Sequence, residues 1–266
     1  MRAGRPDVPY RAVLTGASGG IGKAIARELV ARSDYLILTG RNIDALQSLQ
    51  RELGVGKVHI VHGDLTHNDT LSAIDSVAQS VGGLNLLINN AGASDFHAFE
   101  TQDAEAIRSL LTTNLQSPML LSRQLIPLLK QASRAQIVNI GSVFGDVGFP
   151  GYATYCASKA GLKGFSQALR RELSDSTVEV RYFAPRATRT AINSASVAAM
   201  NSELKTAEDS AEYVAREFVR FLGGSAWEKT LGAKESFFVF INRLLPALPD
   251  RAIFTQLPVI RKYLPK

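Results

Sequence analysis

Cysteine is nearly missing: Cys156 is the only one in 266 residues. One thiol cannot close an internal disulfide, so a cystine-stapled scaffold is excluded and a reducing, cytoplasmic setting is expected. Its place between Tyr155 and Lys159 favours a small buried residue over a reactive thiol. Histidine is scarce as well. His59, His62, His67 and His97 have no metal-ligand spacing with cysteine, so no metal site is expected. The charged stretch Met1–Pro9 has no apolar core, which argues against a secretory signal. Internal repeats, low-complexity tracts and linkers are also absent.

What is present fits one soluble domain spanning 1–266, with 45% hydrophobic and 20% charged residues. The net charge of +6 is concentrated at the end: from Lys229 to Lys266 every charge but Glu235 and Asp250 is a cation. A basic tail, not a basic protein, needs explaining. That tail has no reading motif and no aromatic-interleaved basic surface, so no nucleic-acid partner is expected.

The first half alternates apolar strands with amphipathic helices, the rhythm of a parallel, doubly wound sheet. Ala12–Thr15 reads as a strand, runs into Gly16-Ala17-Ser18-Gly19-Gly20-Ile21-Gly22, and is followed by a helix with Ile21, Ile25, Leu29 and Val30 on its apolar face. A glycine turn between strand and helix lets backbone N–H groups and the helix dipole meet a phosphate. The next strand, Tyr35–Thr39, ends at Gly40-Arg41-Asn42. In an NAD site a carboxylate near this position would bind the ribose 2′-hydroxyl, whereas the Arg41 guanidinium suits a 2′-phosphate. The competing reading is a solvated arginine before a helix capped by Asn42. Val58–His62 makes a third strand and is followed by Gly63-Asp64-Leu65, where Asp64 suits an adenine amine or caps the helix over 68–81. Leu84–Ile88 runs into Asn89-Asn90-Ala91-Gly92, a tight turn that bonds to neighbouring strands.

Further on, a buried strand (Ile137–Ile140) precedes Ser142, and Tyr155 and Lys159 stand four residues apart. On a helix these two share one face. A nearby ammonium stabilises a phenolate, so Lys159 is expected to lower the Tyr155 pKa and make the phenol a proton carrier. Asn114 falls in a helical stretch read as continuous over 103–131, where asparagine has poor propensity.

Taken together these motifs resemble the short-chain dehydrogenase/reductase family in its NADP-preferring form, over about Ala12 to Thr190. The resemblance implies a Rossmann-type doubly wound parallel β-sheet with helices on both faces, as a reductase core over 10–232. A helical C-terminal extension over 233–266 is added to it. Asn114, Ser142, Tyr155 and Lys159 match the family's catalytic residues. Tyr155 would protonate a carbonyl oxygen or act as base in reverse, Ser142 would hold that oxygen, and Lys159 would also bind the nicotinamide ribose. Asn114 would hold a water that links Lys159 to solvent. Gly16, Ser18, Gly20, Ile21, Gly22, Arg41, Asp64, Leu65, Asn90, Ala91, Gly92, Pro185 and Thr190 match the cofactor site, with NADP(H) expected over NAD(H). The activity implied is interconversion of a small-molecule carbonyl and alcohol by a homo-oligomer. A non-catalytic NADP-binding regulatory or scaffold protein of the same fold is the alternative, against which the intact quartet argues.

One position departs from the family pattern. Where Pro-Gly is usual, this chain has Pro185-Arg186, and Arg186 is expected to face the substrate mouth, where it would favour an anionic substrate; an exposed arginine on an altered loop is the competing reading. Phe96, Val143, Phe144, Phe149 and Met200 point to a hydrophobic substrate, with a lid over 193–204. A helix over 209–222 and a strand over 227–231 complete the core. In the extension, Phe237, Phe238, Phe240, Ile241, Leu244, Leu245 and Leu248 form a wide apolar stripe, and Pro246, Pro249 and Pro258 interrupt it. It is too short and too charged to span a membrane. Packing on the protein is expected ahead of peripheral membrane contact.

Overall fold

The computed structural model describes residues 8–265. Lys266 and most of the charged segment Met1–Pro9 lie outside them. The first half alternates as β1 (Tyr10–Thr15), α1 (Gly20–Leu29), β2 (Ser33–Gly40), α2 (Ile43–Leu53), β3 (Val58–His62), α3 (Asn68–Ser80) and β4 (Leu86–Asn89). Then come α4 (Ala104–Leu111), α5 (Ser117–Leu129), β5 (Ala135–Ile140), α6 (Ala153–Glu172) and β6 (Val178–Ala184). The last part holds β7 (Thr188–Arg189), α7 (Ala195–Glu203), β8 (Asp209–Ser210), α8 (Ala211–Leu222), β9 (Glu228–Thr230), α9 (Ala233–Leu244) and α10 (Ala247–Tyr263).

Seven strands form one parallel sheet in the order β3-β2-β1-β4-β5-β6-β9, and β7 pairs with β8 apart from it. This is the expected Rossmann-type arrangement. Strand order reverses between β1 and β4, so their carboxyl ends open a crevice of the kind that binds ligands. Alternate residues of each strand feed opposite faces. Ala12 and Leu14 meet α1, α2 and α8 through Ile25, Leu29, Leu46 and Phe218. Val13 meets α3 and α5 through Ile74, Leu121 and Leu125. Both faces are covered, which explains why the strands are apolar throughout rather than alternating.

The helix read over 103–131 is helical throughout from Ala104 to Leu129, but it is not α-helical throughout. A π turn, Thr112–Gln116, separates α4 from α5 and swings Asn114 inward, where it is fully buried. The extra residue is held because the Asn114 side chain bonds both backbone groups of Ala93, at 2.7 and 2.9 Å, and Ser158 Oγ at 3.0 Å. Single π turns of this kind are common at functional sites. Pro258 does not interrupt the extension either: it lies inside α10, at the sacrifice of one backbone hydrogen bond. α10 continues through it because Ile260 is buried against Phe96, Tyr152, Val197 and Met200.

The apolar stripe of the extension is only half packed. Val239 and Phe238 pack on Val143 and Val147, but Phe237, Phe240, Leu244, Leu245 and Leu248 face solvent. The expectation that the stripe packs on the protein therefore holds for one face and fails for the other. No helix among the described residues is long and apolar enough to cross a membrane.

Candidate functional site

Three glycines of the turn after β1, Gly16, Gly20 and Gly22, accept no larger residue. Gly16 has φ +65°, a backbone conformation that favours glycine. A Cβ on Gly22 would lie 2.2 Å from the Gly16 carbonyl oxygen, and one on Gly20 would lie 2.7 Å from Thr190 Cγ2. Gly19, the N-cap of α1, supplies no side-chain cap, so the first N–H groups of the helix stay available to an anion. Asn90 fixes the turn from β4, donating from Nδ2 to the Thr15 carbonyl at 2.9 Å, while Thr15 Oγ1 accepts from the Asn90 and Ala91 N–H groups at 2.9 Å. These residues fit a dinucleotide pyrophosphate: a backbone cradle, an uncapped helix start, and no space for a side chain at Gly16, Gly20 or Gly22. Gly22→Ala is expected to push the turn out of register, lowering the melting temperature and weakening nicotinamide-cofactor binding at least about tenfold. Thermal unfolding and a fluorescence titration with NADPH check both.

Ser18 Oγ would lie 2.7 Å from a Cβ on Gly40, so Ser18, Gly40 and the exposed Arg41 sit together at the end of β2. Asn42 caps α2 by accepting from the Ala45 N–H at 2.9 Å, and Arg41 before it is exposed, so this part of the competing reading is met. Asp64 does not cap α3. Its carboxylate accepts from the Thr66 N–H at 2.9 Å, and α3 starts after His67 with no side-chain cap. That hydrogen bond holds the Asp64 carboxyl below the usual range, so it is an anion beside Leu65 at neutral pH.

The catalytic candidates converge. Ser142 ends the segment after β5, and its Oγ accepts from the Phe144 N–H at 3.1 Å, fixing the 3₁₀ turn Val143–Gly145. Tyr155 and Lys159 share one face of α6, with Lys159 Nζ 5.8 Å from the Tyr155 ring centre. Lys159 is buried and donates to the Ile140 carbonyl at 3.0 Å. Asn114 Oδ1 and Lys159 Nζ lie 3.4 and 3.6 Å from the Cβ position of Gly92, so both converge on this glycine. Gly92 therefore keeps the space between them open.

Electrostatics here differ from the expectation. Burial pushes the Tyr155 pKa up to about 12, with Ser142 acting in the opposite direction, and burial lowers Lys159 to about 8. Lys159 does not pull the phenol down, because desolvation of the phenolate outweighs an ammonium that is itself destabilised. Cys156 is likewise pushed up by burial and stays a thiol, as expected for a packing residue.

Arg186 does not face the substrate mouth as a free cation. It makes a bidentate pair with Asp209, at 2.8 and 3.0 Å, and reaches Glu235 of α9 at 3.2 Å. Both carboxylates neutralise it, so it cannot select an anionic substrate. Its backbone is outside the left-handed region, so glycine is not required there. Pro185 and Thr190 flank the same loop, and Thr190 lies against Gly20 of the glycine turn.

Sequence reasoning missed the second anchor of α9. Lys163, one turn beyond Lys159, binds both oxygens of Asp146 at 2.6 and 2.7 Å and also Glu228. Arg243 bonds the same two carboxylates, at 2.8 and 2.6 Å, and Asn242 donates to the Asp146 carbonyl at 2.7 Å. α9 thus grips the loop of Ser142 at one end and, through Arg186, the loop of Thr190 at the other. Lys163 at i+4 from Lys159 was the one available signal.

Beside Tyr155 the wall is apolar and aromatic. Phe144 stacks on Phe149 at 5.1 Å, and Phe144 and Tyr152 both approach Tyr155 edge-on. Phe96 and Met200 join them, with Ile260, Tyr263 and Leu264 of the C-terminal end. The lid expected over 193–204 is α7, tied to this end by Lys262 and Tyr263, each 2.6 Å from Glu203.

The short chain dehydrogenase family model matches residues 11–201. Nodulation protein G of Rhizobium meliloti is 35% identical over 176 residues, which are 66% of this chain and 71% of that protein. The 3-oxoacyl-(acyl-carrier-protein) reductase of Escherichia coli is 33% identical over 174 residues, 65% of this chain and 71% of that protein. Among solved structures, a short-chain dehydrogenase from Burkholderia cenocepacia in complex with NADP superposes with a TM-score of 0.79 at 23% identity, covering 95% of this chain and 99% of that one. One from Burkholderia phymatum in complex with NAD gives 0.81 at 21% identity, covering 91% and 95%.

Proposed function

The chain belongs to the short-chain dehydrogenase/reductase family, whose members are oxidoreductases of the CH–OH/C=O couple that use NAD(P), and on that premise we propose that it is an NADPH-dependent reductase of a hydrophobic ketone. The observation that carries this reading is the convergence of Ser142, Tyr155 and Lys159 on one side of an apolar, aromatic cluster, with Asn114 behind them. Gly16, Ser18, Gly20, Ile21 and Gly22 would hold the pyrophosphate, and Asp64 and Leu65 the adenine end. Asn90, Ala91, Gly92, Pro185 and Thr190 would line the nicotinamide side. The bound cofactor supplies the hydride.

Tyr155, protonated throughout the neutral range, gives its proton to the carbonyl oxygen in reduction and takes it back in oxidation. Ser142 orients that oxygen by a hydrogen bond. Lys159, held at the Ile140 carbonyl, stands where it returns protons toward the phenol, and Asn114 keeps the path beside Gly92 in shape. Phe96, Phe144, Phe149 and Met200 favour an apolar substrate over a sugar. A homo-oligomer fits the exposed Met119, which shares a shallow apolar hollow with Leu111, Leu115 and Leu120 beside the π turn.

NADPH over NADH rests on Arg41. Charge-assisted hydrogen bonds of this kind contribute about 1.5–3 kcal/mol, or roughly 10- to 100-fold in affinity. Fluorescence titration of the protein with both cofactors is the test. Tighter NADPH binding that falls 10- to 100-fold in Arg41→Ala, with NADH unchanged, is expected. Equal affinities in the unaltered protein would replace this reading with an NAD-linked dehydrogenase.

A further inference from the structure

The two C-terminal helices leave a broad apolar surface uncovered. Phe237, Phe240, Leu244, Leu245, Leu248 and Phe254 are each more than half exposed, Phe237 reaching 65% and Phe254 64%. On α9, Phe237, Phe240 and Leu244 recur at the i, i+3, i+7 spacing of one face, opposite the packed Val239. On α10, Leu248, Arg251, Phe254, Pro258 and Arg261 follow the same kind of spacing and are all exposed. Soluble monomers seldom leave large apolar side chains contiguous in this way.

The charges around this surface are mostly of one sign. Lys234, Arg251 and Arg261 are exposed and, among the described residues, take part in no ion pair, whereas Glu235 is taken up by Arg186. Asp250 is the one exposed carboxylate of α9 and α10. A twofold contact with a second copy would set these cations against each other. An anionic partner meets both the phenyl and leucyl side chains and the cations between them. The inner face of α10 separates a lipid from an acidic protein as that partner. Ile260 is buried with Phe96, Tyr152 and Met200, and Leu264 lies 3.1 Å from the Cβ position of Gly151, so this end of the chain packs on the apolar cluster beside Tyr155.

We propose that the outer faces of α9 and α10 dock on an anionic lipid surface, which places the apolar cluster beside Tyr155 next to a reservoir of lipid-borne ketone. The helices lie along the surface: α10 has 17 residues with charges throughout and cannot cross a bilayer. Docking stands independently of the reductase reading; delivery of substrate to Tyr155 rests on it.

The test is flotation of the full chain with vesicles of phosphatidylcholine alone and with about one third phosphatidylglycerol, at low and high salt. The protein is expected to float with the anionic vesicles and to be released by salt. Arg251→Ala and Arg261→Ala are each expected to weaken binding about fivefold. Phe237→Ser with Phe240→Ser is expected to abolish it while turnover of a short, water-soluble ketone with NADPH is retained, since neither side chain is packed. Failure to float with anionic vesicles at low salt overturns the proposal. A dimer dissociated by that same pair of substitutions, without flotation, assigns the surface to a second copy instead. Flotation without turnover of any ketone leaves docking standing and removes the reductase reading.

Discussion

Tyr155→Phe is expected to leave folding and cofactor binding intact and to lower turnover by roughly 10²- to 10⁴-fold, the usual worth of a positioned general acid. Phenylalanine keeps the edge contacts with Phe144 and Tyr152, at 6.3 and 6.0 Å, and removes only the hydroxyl. Steady-state kinetics on a hydrophobic ketone, beside an NADPH titration, separate the two effects. A variant with unaltered kcat would remove Tyr155 from the chemistry. The pH dependence has a definite sign. With its pKa at about 12 the phenol is in its acid form through the neutral range, so the donor required for reduction is always loaded. The first group to lose a proton on the alkaline side is Lys159, at about 8. Reduction is therefore expected to show a flat kcat/KM up to that point and an alkaline limb above it. Oxidation, which needs the phenolate, should rise with pH instead. A limb in Tyr155→Phe at the same pH identifies it with Lys159.

Asp146→Ala is expected to destabilise the protein by about 3–5 kcal/mol, the usual result of removing one partner from a buried ion pair. Lys163 and Asp146 are nearly solvent-free, with side chains 8% and 5% exposed. Two cations, Lys163 and Arg243, face two carboxylates, Asp146 and Glu228, and the substitution leaves one carboxylate for both. For a chain of this size the melting temperature should fall by roughly 10 °C. Removing both members of the inner pair, as Asp146→Asn with Lys163→Met, should recover much of the loss, because no buried charge is then stranded. An unchanged melting temperature in Asp146→Ala would show that the network contributes little. The single variant also loosens the hold of α9 on the loop of Ser142, leaving only the Asn242 bond to the residue-146 carbonyl and the apolar contacts, so kcat on the residual folded protein should fall more than cofactor affinity does.

Much of the fold was legible because its signals are local. The glycine turn after Thr15, the apolar strands and the i, i+4 pair of Tyr155 and Lys159 each lie within a few residues. Backbone geometry converts such short patterns directly into elements. The helix limits over 68–81 and 209–222 were read to within two residues of α3 and α8 for the same reason. Other features depend on partners far along the chain. The π turn at Thr112–Gln116 is held by Ala93 and Ser158, 21 and 44 residues from Asn114, and its own residues carry no mark of it. Arg186 looked like a free guanidinium because Asp209 and Glu235 are 23 and 49 residues away.

By itself, then, the sequence determined the order of elements, the glycine turn after β1 and the identity of the four catalytic candidates, since each is written in residue type and short spacing. Only the tertiary structure decided what surrounds them. Burial set Tyr155 and Lys159 at about 12 and about 8, because desolvation depends on everything packed around a group. It also divided the extension into a packed face and an open one. Periodicity shows that a helix has an apolar side, whereas only the positions of Val143, Val147 and their neighbours show which part of that side is covered.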